Sequence, residues 1–315
     1  MKKIFFFLLC FQLFISFNLS AQSSINRFLT PADSFNKHRT IIVTASWAGI
    51  YGGTLIGLNQ LWYADYPHTS FHFFNDNNEW LQMDKVGHVY TSYFESVWTT
   101  DALLWSGTKP NKAAWIGAAT GFVFQNTLEV FDGFSEQWGA SAADVIGNAL
   151  GASLSMSQYL LWKEQRIEFK FSSFPKKYPA ELTSRTLTLF GSSIAQNTLK
   201  DYNGQTYWLS VNPSSFIKNS ASKFPKWLNI DVGYGVDGLF GGYKNVWDEN
   251  GEAVDRTDIA RVRQFYLSPD IDFTRIKTKS ATLKTFFSLL NIIKVPAPAL
   301  EINSHGSFHF YPVYF

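Results

Sequence analysis

One cysteine stands in the whole chain, Cys10, and it falls inside an apolar run close to the N-terminus. Once that run is removed, disulfides, a cysteine metal set and a thiol nucleophile are all excluded, a composition that suits the cell envelope. Charge is scarce too: 17% of the residues are charged, with 27 Lys and Arg against 25 Asp and Glu. A balance so near neutral supplies no footprint for phosphate backbones, so nucleic acid is not an expected partner. Also missing are a G-x-S-x-G elbow, an H-E-x-x-H helix and a Walker loop. What is abundant is apolar and aromatic surface: 46% of the 315 residues are hydrophobic, with 30 Phe, 14 Tyr and 11 Trp. Such a chain buries enough surface to fold, and it reads as one that meets lipid or has a thick core.

The N-terminus carries the parts of a secretory signal: Lys2 and Lys3, an apolar stretch over residues 4–17, and small residues around Ala21. Residues 1–21 are therefore expected to be a signal peptide, with an uncleaved anchor as the alternative, and residues 22–38 a linker. Between residues 40 and 64 there is no charge, and residues 41–58 are long enough to span a bilayer core. Further helical patterns cover residues 84–105, 111–132 and 142–162. Small residues recur at four-residue spacing at Gly49, Gly53 and Gly57, at Gly117 and Gly121, and at Gly147 and Gly151. That spacing lets helix backbones approach closely.

Lysines, arginines and prolines after Trp162 mark a boundary. Beyond it Leu228, Ile230, Val232 and Tyr234 alternate with polar residues, as do Phe265, Leu267 and Ile271, and the last residues alternate with aromatics. The expected fold is mainly α: a membrane-associated up-and-down bundle of about four helices over residues 39–162, then an α+β region with short strands over 163–315.

Polar residues gather at one end of such a bundle. Asp84 and His88 are four apart at the start of the second helix, on a stripe with Ser92 and Glu95; Asp144 and Asn148 are four apart at the start of the fourth. Glu129 and Asp132 close the third helix, where carboxylates are opposed by the macrodipole and want a cation, a proton or a partner. Lys85 is one candidate partner. Antiparallel helices bring these groups together. Each also has a plain structural role: Asp84 at a helix start, Ser141 with Asp144 as a capping box, and an Asp–Lys–Glu ion network without chemistry.

The residues Asp84-Lys85-x-x-His88, Glu129 and Asp144-x-x-x-Asn148-x-x-Gly151 resemble the signature of VanZ-like membrane proteins. With Glu129-x-x-Asp132 and Gly139-x-Ser141-x-x-Asp144 the pattern is closer still to the YfiM-like family of uncharacterised envelope proteins, many of them predicted lipoproteins. The resemblance runs from about residue 83 to 152. It implies an envelope setting and a lipid or lipid-linked ligand, and no established reaction. The chain departs from the pattern in lacking a lipoprotein cysteine, in its long second half, and in Asp132 where VanZ-like proteins usually carry Gln.

Two readings follow. In one, Glu129, Asp132 and His88 are catalytic, as base or metal ligand, beside Asp84, Lys85, Asp144 and Asn148 as binding residues; no cofactor is evident, and a divalent metal is the one the cluster could hold. In the other, the cluster only fixes helix packing in a non-catalytic envelope protein. Basic and acidic loops alternate in a way that puts the cluster outside if the bundle crosses the inner membrane, whereas a cleaved signal inverts that topology. The outer membrane or periplasmic face is therefore the expected location, with the inner membrane as the alternative.

Overall fold

The computed structural model describes residues 19–60, 67–217 and 223–315; the expected signal peptide lies for the most part outside them. Two helices come first, α1 (Leu19–Leu29) and α2 (Lys37–Leu58), the latter capped by Asn36, whose side chain accepts from the Arg39 amide. Three long helices follow: α3 (Met83–Trp105), α4 (Pro110–Asp132) and α5 (Ala142–Trp162). Pro110 opens α4 in the first turn, where its missing N–H costs nothing. Ser141 caps α5 by accepting from the Asp144 amide at 3.2 Å.

Helices α3, α4 and α5 pack tightly on one another because their contact faces are built from small and hydroxylated residues. A Cβ added at Gly117 would lie 2.1 Å from Thr100 Oγ1, one at Gly121 2.4 Å from Ser96 Oγ, and one at Gly151 2.1 Å from the Val89 carbonyl. The expected fourth member behaves differently. Helix α2 leans on the end of α3 and the start of α4 through Val43 and on Phe124 in the middle of α4 through Trp47 and Tyr51, and a Cβ at Gly49, Gly53 or Gly57 would meet nothing within 4 Å. Among the described residues its glycine stripe therefore makes no close helix contact, and the tight core has three helices rather than four. Among the described residues α2 is the one helix long and apolar enough to cross a membrane.

The second half is a curled antiparallel sheet. Its strands are β1 (Ile167–Ser173), β2 (Gln205–Val211), β3 (Leu228–Asp237), β6 (Val262–Ile271), β7 (Ala297–Asn303) and β8 (Phe308–Tyr314), hydrogen-bonded in that order. Helices α6 (Thr183–Phe190) and α7 (Ile194–Lys200) join β1 to β2. A small hairpin, β4 (Val246–Glu249) with β5 (Glu252–Asp255), precedes β6, and α8 (Ala281–Leu290) precedes β7. The curl is strong enough that the Tyr314 hydroxyl of β8 lies 3.0 Å from Thr206 Oγ1 of β2. Strands β1 and β2 rest on α3, where Tyr90 meets Phe171 and Tyr207, and Tyr93 meets Phe169. Met83 at the start of α3 packs with Val236 near the end of β3 and with Leu239 just beyond it, which ties the polar end of the helices to one end of the sheet.

Glu95 lies two turns along α3 from His88 on the face that meets α4, where His88 is beside Glu129 and Glu95 beside Gln125. Its Oε1 accepts from Gln125 Nε2 of α4 at 2.9 Å, its Oε2 is buried without a hydrogen-bond partner, and burial pushes its carboxyl up to about 8. A folded-state value above the unfolded one means that the folded chain holds a proton the unfolded chain has released, so stability falls as pH rises from the unfolded value towards 8. Glu95→Gln is expected to remove that fall: thermal melts should show a larger gain in Tm at pH 8 than at pH 5. An equal shift at both would mean that Glu95 is ionised in the folded protein.

Candidate functional site

The site is aimed by an unusual stretch of backbone. Trp80, Leu81 and Gln82, just before α3, have φ of 47°, 51° and 63°, a left-handed region that costs energy for residues with side chains. Tertiary contacts hold it: the Trp80 amide donates to the Gly242 carbonyl at 2.8 Å, and Arg263 Nη1 donates to the Leu81 carbonyl at 2.9 Å. The reversal fixes where α3 begins, and hence turns Asp84, Lys85 and His88 towards the end of α4 and the start of α5.

Lys85 organises one half of the site. Its ammonium donates to Asp84 Oδ2 at 2.8 Å, to Asp144 Oδ2 at 3.0 Å and to Asp76 Oδ2. Asp76 is brought in from the loop before α3, and its other oxygen accepts from Ser141 Oγ at 2.6 Å. Burial works against the lysine charge, but Asp84 and the hydrogen bonds to Asp76 and Asp84 outweigh it and hold the ammonium well above the usual lysine range. For Asp76, burial is likewise outweighed, by Lys85 and Ser141, and the carboxyl lies below its usual value. Sequence reasoning missed Asp76, because a loop position carries no periodicity to place it.

The other half has no such cation. His88 Nδ1 lies 3.0 Å from Asn148 Oδ1, so the amide oxygen can accept the Nδ1 proton and leave the Nε2 lone pair facing the site. From Nε2 it is 3.5 Å to Glu129 Oε1 and 3.9 Å to Asp144 Oδ2. Glu129 Oε2 accepts from the Ser141 amide at 3.0 Å, but Glu129 Oε1 and Asp144 Oδ1 are buried with no hydrogen-bond partner. Their side chains are only 4% and 6% exposed. Burial accordingly pushes Glu129 up to about 8 and Asp144 up to about 6, although His88 and Lys85 pull the aspartate down.

Such spacing is what a cation asks for. Two ligands each about 2.1 Å from a tetrahedral ion stand roughly 3.4 Å apart, close to the separation of His88 and Glu129. His88, Glu129 and Asp144 can each offer an atom within 4.8 Å of the others, and Asp76, Asp84 and Asp144 form a second such group, whose centre Lys85 already serves. Of the residues singled out in the sequence, Asp84, Lys85, His88, Glu129, Asp144 and Asn148 converge. Asp132 lies one turn beyond Glu129, partly exposed, and acts on it through its charge.

Residues 72–161 match the model of a family described as predicted periplasmic lipoprotein (DUF2279), a span that holds every residue of this site. No curated protein and no solved structure matches the chain. The match supports an uncharacterised family of envelope lipoproteins, and the protein is exported and envelope-associated, at the periplasmic face or the outer membrane.

Proposed function

We propose that this envelope protein holds a divalent cation between His88 Nε2, Glu129 Oε1 and the Asp144 carboxylate, and uses it to bind a lipid-linked ligand through the ligand's phosphate. The observation that carries the cation is a buried, unpartnered oxygen on each of two carboxylates beside the imidazole that Asn148 orients: Glu129 Oε1, 3.5 Å from His88 Nε2, and Oδ1 of Asp144, whose Oδ2 lies 3.9 Å from the same nitrogen. A buried carboxylate oxygen that neither pairs nor accepts a hydrogen bond is costly, and a metal removes that cost. One imidazole with two carboxylates suits Zn²⁺ or Mn²⁺ better than Ca²⁺ or Mg²⁺, and three protein ligands leave a position open for a phosphate oxygen. Partial exposure of His88 and Asp84 gives that position access from outside. Lys85 is the structural half of the arrangement: it neutralises Asp76 and Asp84 and leaves the third carboxylate shared.

Calorimetric titration of the metal-stripped full chain is the test. One Zn²⁺ or Mn²⁺ is expected to bind per chain. Glu129→Gln and His88→Ala should abolish this binding, Asn148→Ala should weaken it by about 10–100-fold as an orienting partner does, and Asp132→Asn should leave it in place. No metal uptake by the wild type, or uptake that ignores Glu129→Gln, would reduce the cluster to an ion network that fixes packing. A polyprenyl pyrophosphate then probes the ligand: retention that depends on the metal supports the reading, and equal retention by metal-free protein removes the lipid-linked part of it.

A further inference from the structure

The sheet has its polarity inside out. In β3, Asp231 is wholly buried, and its neighbours across the sheet are Ser210 of β2 and Ser268 of β6. The next residue, Val232, is 54% exposed, and its neighbours are Leu209 and Leu267, also exposed. The same alternation continues outward to β7 and β8, where Glu301 is buried while Ile302 and Phe310 are 55% and 59% exposed. Inside the curl the chain keeps its ions. Lys170 pairs with Asp270; Lys294, also fully buried, lies 3.5 Å from Asp270 and donates to the carbonyls of Pro269 and Val295. Asn229 donates to Ser210 Oγ at 2.8 Å, and Trp208 donates to Ser172 Oγ at 2.9 Å. A sheet folding in water puts its apolar side into the core, because that is where the free energy lies. Here the ions were turned inward, beside a cluster of Trp208, Tyr266 and Ala299 with Tyr311 and Tyr314, and the purely apolar side was turned outward, the arrangement of strands whose outer solvent is hydrocarbon.

Charge at the two ends agrees. The ends of α3 and α5, the starts of α2 and α4 and the ends of β2 and β6 lie together: Arg39 donates to the Trp105 carbonyl, Lys163 to Asn111, Arg275 to Glu164, and Asn212 to the Lys226 carbonyl. This end carries the exposed lysines Lys37, Lys109, Lys112, Lys226, Lys277 and Lys284; the other end has fewer, Lys176, Lys177 and Lys244, and holds the cluster of Asp76, Asp84 and Glu129. A rim of lysines below an apolar belt matches acyl chains ending in phosphate headgroups. The apolar flank of α2, with Ile41, Ile50 and Ile56 exposed, carries the belt round to the helical half.

We infer that the outer face of β3, β6, β7 and β8 is immersed in lipid, so that the sheet half as well as α2 holds this protein in its membrane. Its occupant is acyl chain, with headgroup phosphates against the lysine end, and the acidic site stands at the opposite end of the molecule.

Single cysteines at Val232, Ile302, Ile50 and Glu252, each carrying an NBD fluorophore, test this in the full chain reconstituted into phosphatidylethanolamine–phosphatidylglycerol vesicles. The unsubstituted chain, whose cysteine is Cys10, is the blank. Nitroxides on the acyl chains are expected to quench the probes at Val232→Cys and Ile302→Cys several-fold more than the probe at Glu252→Cys, on the exposed β4–β5 hairpin. Quenching at Ile50→Cys alone would overturn the inference, leaving α2 as the anchor and the sheet in water. Absence of quenching at Val232→Cys and Ile302→Cys together with protection from a water-soluble maleimide would also overturn it, since a protein, not lipid, would then cover the face.

Discussion

Gly151→Val is expected to leave almost no folded protein. A Cβ at this position would sit 2.1 Å from the Val89 carbonyl oxygen and 2.9 Å from the Tyr93 amide nitrogen, both backbone atoms inside α3. Backbone in mid-helix cannot rotate away as a side chain can, so α3 and α5 must separate. Separation would open the interface of Ser92 with the Asn148 carbonyl, a buried hydrogen bond of 2.7 Å, and displace Asn148 from His88. Overpacking a tight core costs about 1–3 kcal/mol where side chains absorb the strain, and the cost here should exceed about 3 kcal/mol because they cannot. Gly53→Leu is the comparison, since a Cβ at Gly53 meets nothing within 4 Å. Envelope abundance and denaturation of the two variants should differ widely; similar values would mean that α3 and α5 are not in this contact.

Lys85→Met should be the second most damaging change, and for an electrostatic reason. It keeps the length of the side chain but removes the cation that Asp76, Asp84 and Asp144 share, with side chains only 14%, 18% and 6% exposed. Removing one partner of a buried ion pair costs about 3–5 kcal/mol, because the other charge is left without compensation. The partial exposure of Asp76 and Asp84 moves the expected value to the lower end, about 3 kcal/mol in metal-free protein. Adding Asp84→Asn to Lys85→Met should recover part of the loss, since it removes one of the stranded charges. Chemical denaturation of the single and double variants checks this. A Lys85→Met protein as stable as the wild type would show that water already solvates these carboxylates, and the cluster would then place no demand on a cation either.

These two substitutions separate what could be read along the chain from what could not. Helices α3, α4 and α5 were legible to within a residue or two, because their small residues recur at helical spacing and Ser141 with Asp144 signals a start. Convergence of Asp84, Lys85, His88, Glu129, Asp144 and Asn148 was legible for the same reason: antiparallel helices with short connections put those ends together. The alternation of β3 and β6 was visible as well. Spacing, however, identifies faces and says nothing about what lies over them. Gly53 and Gly151 share one spacing pattern, yet only Gly151 has a helix against it, since contact depends on where another segment comes to rest. Asp231 and Val232 alternate in sequence as they would in any strand; that the carboxylate faces in and the valine out was decided by the curl of the sheet and by the lysines, Lys170 and Lys294, that neutralise its interior. Asp76 entered the site from a loop without periodicity, and Asp132, one turn from Glu129, is in neither group of candidate ligands among the described residues. In each case the sequence determined which groups share a face, and tertiary packing, which alone sets distance and burial, determined which of them meet.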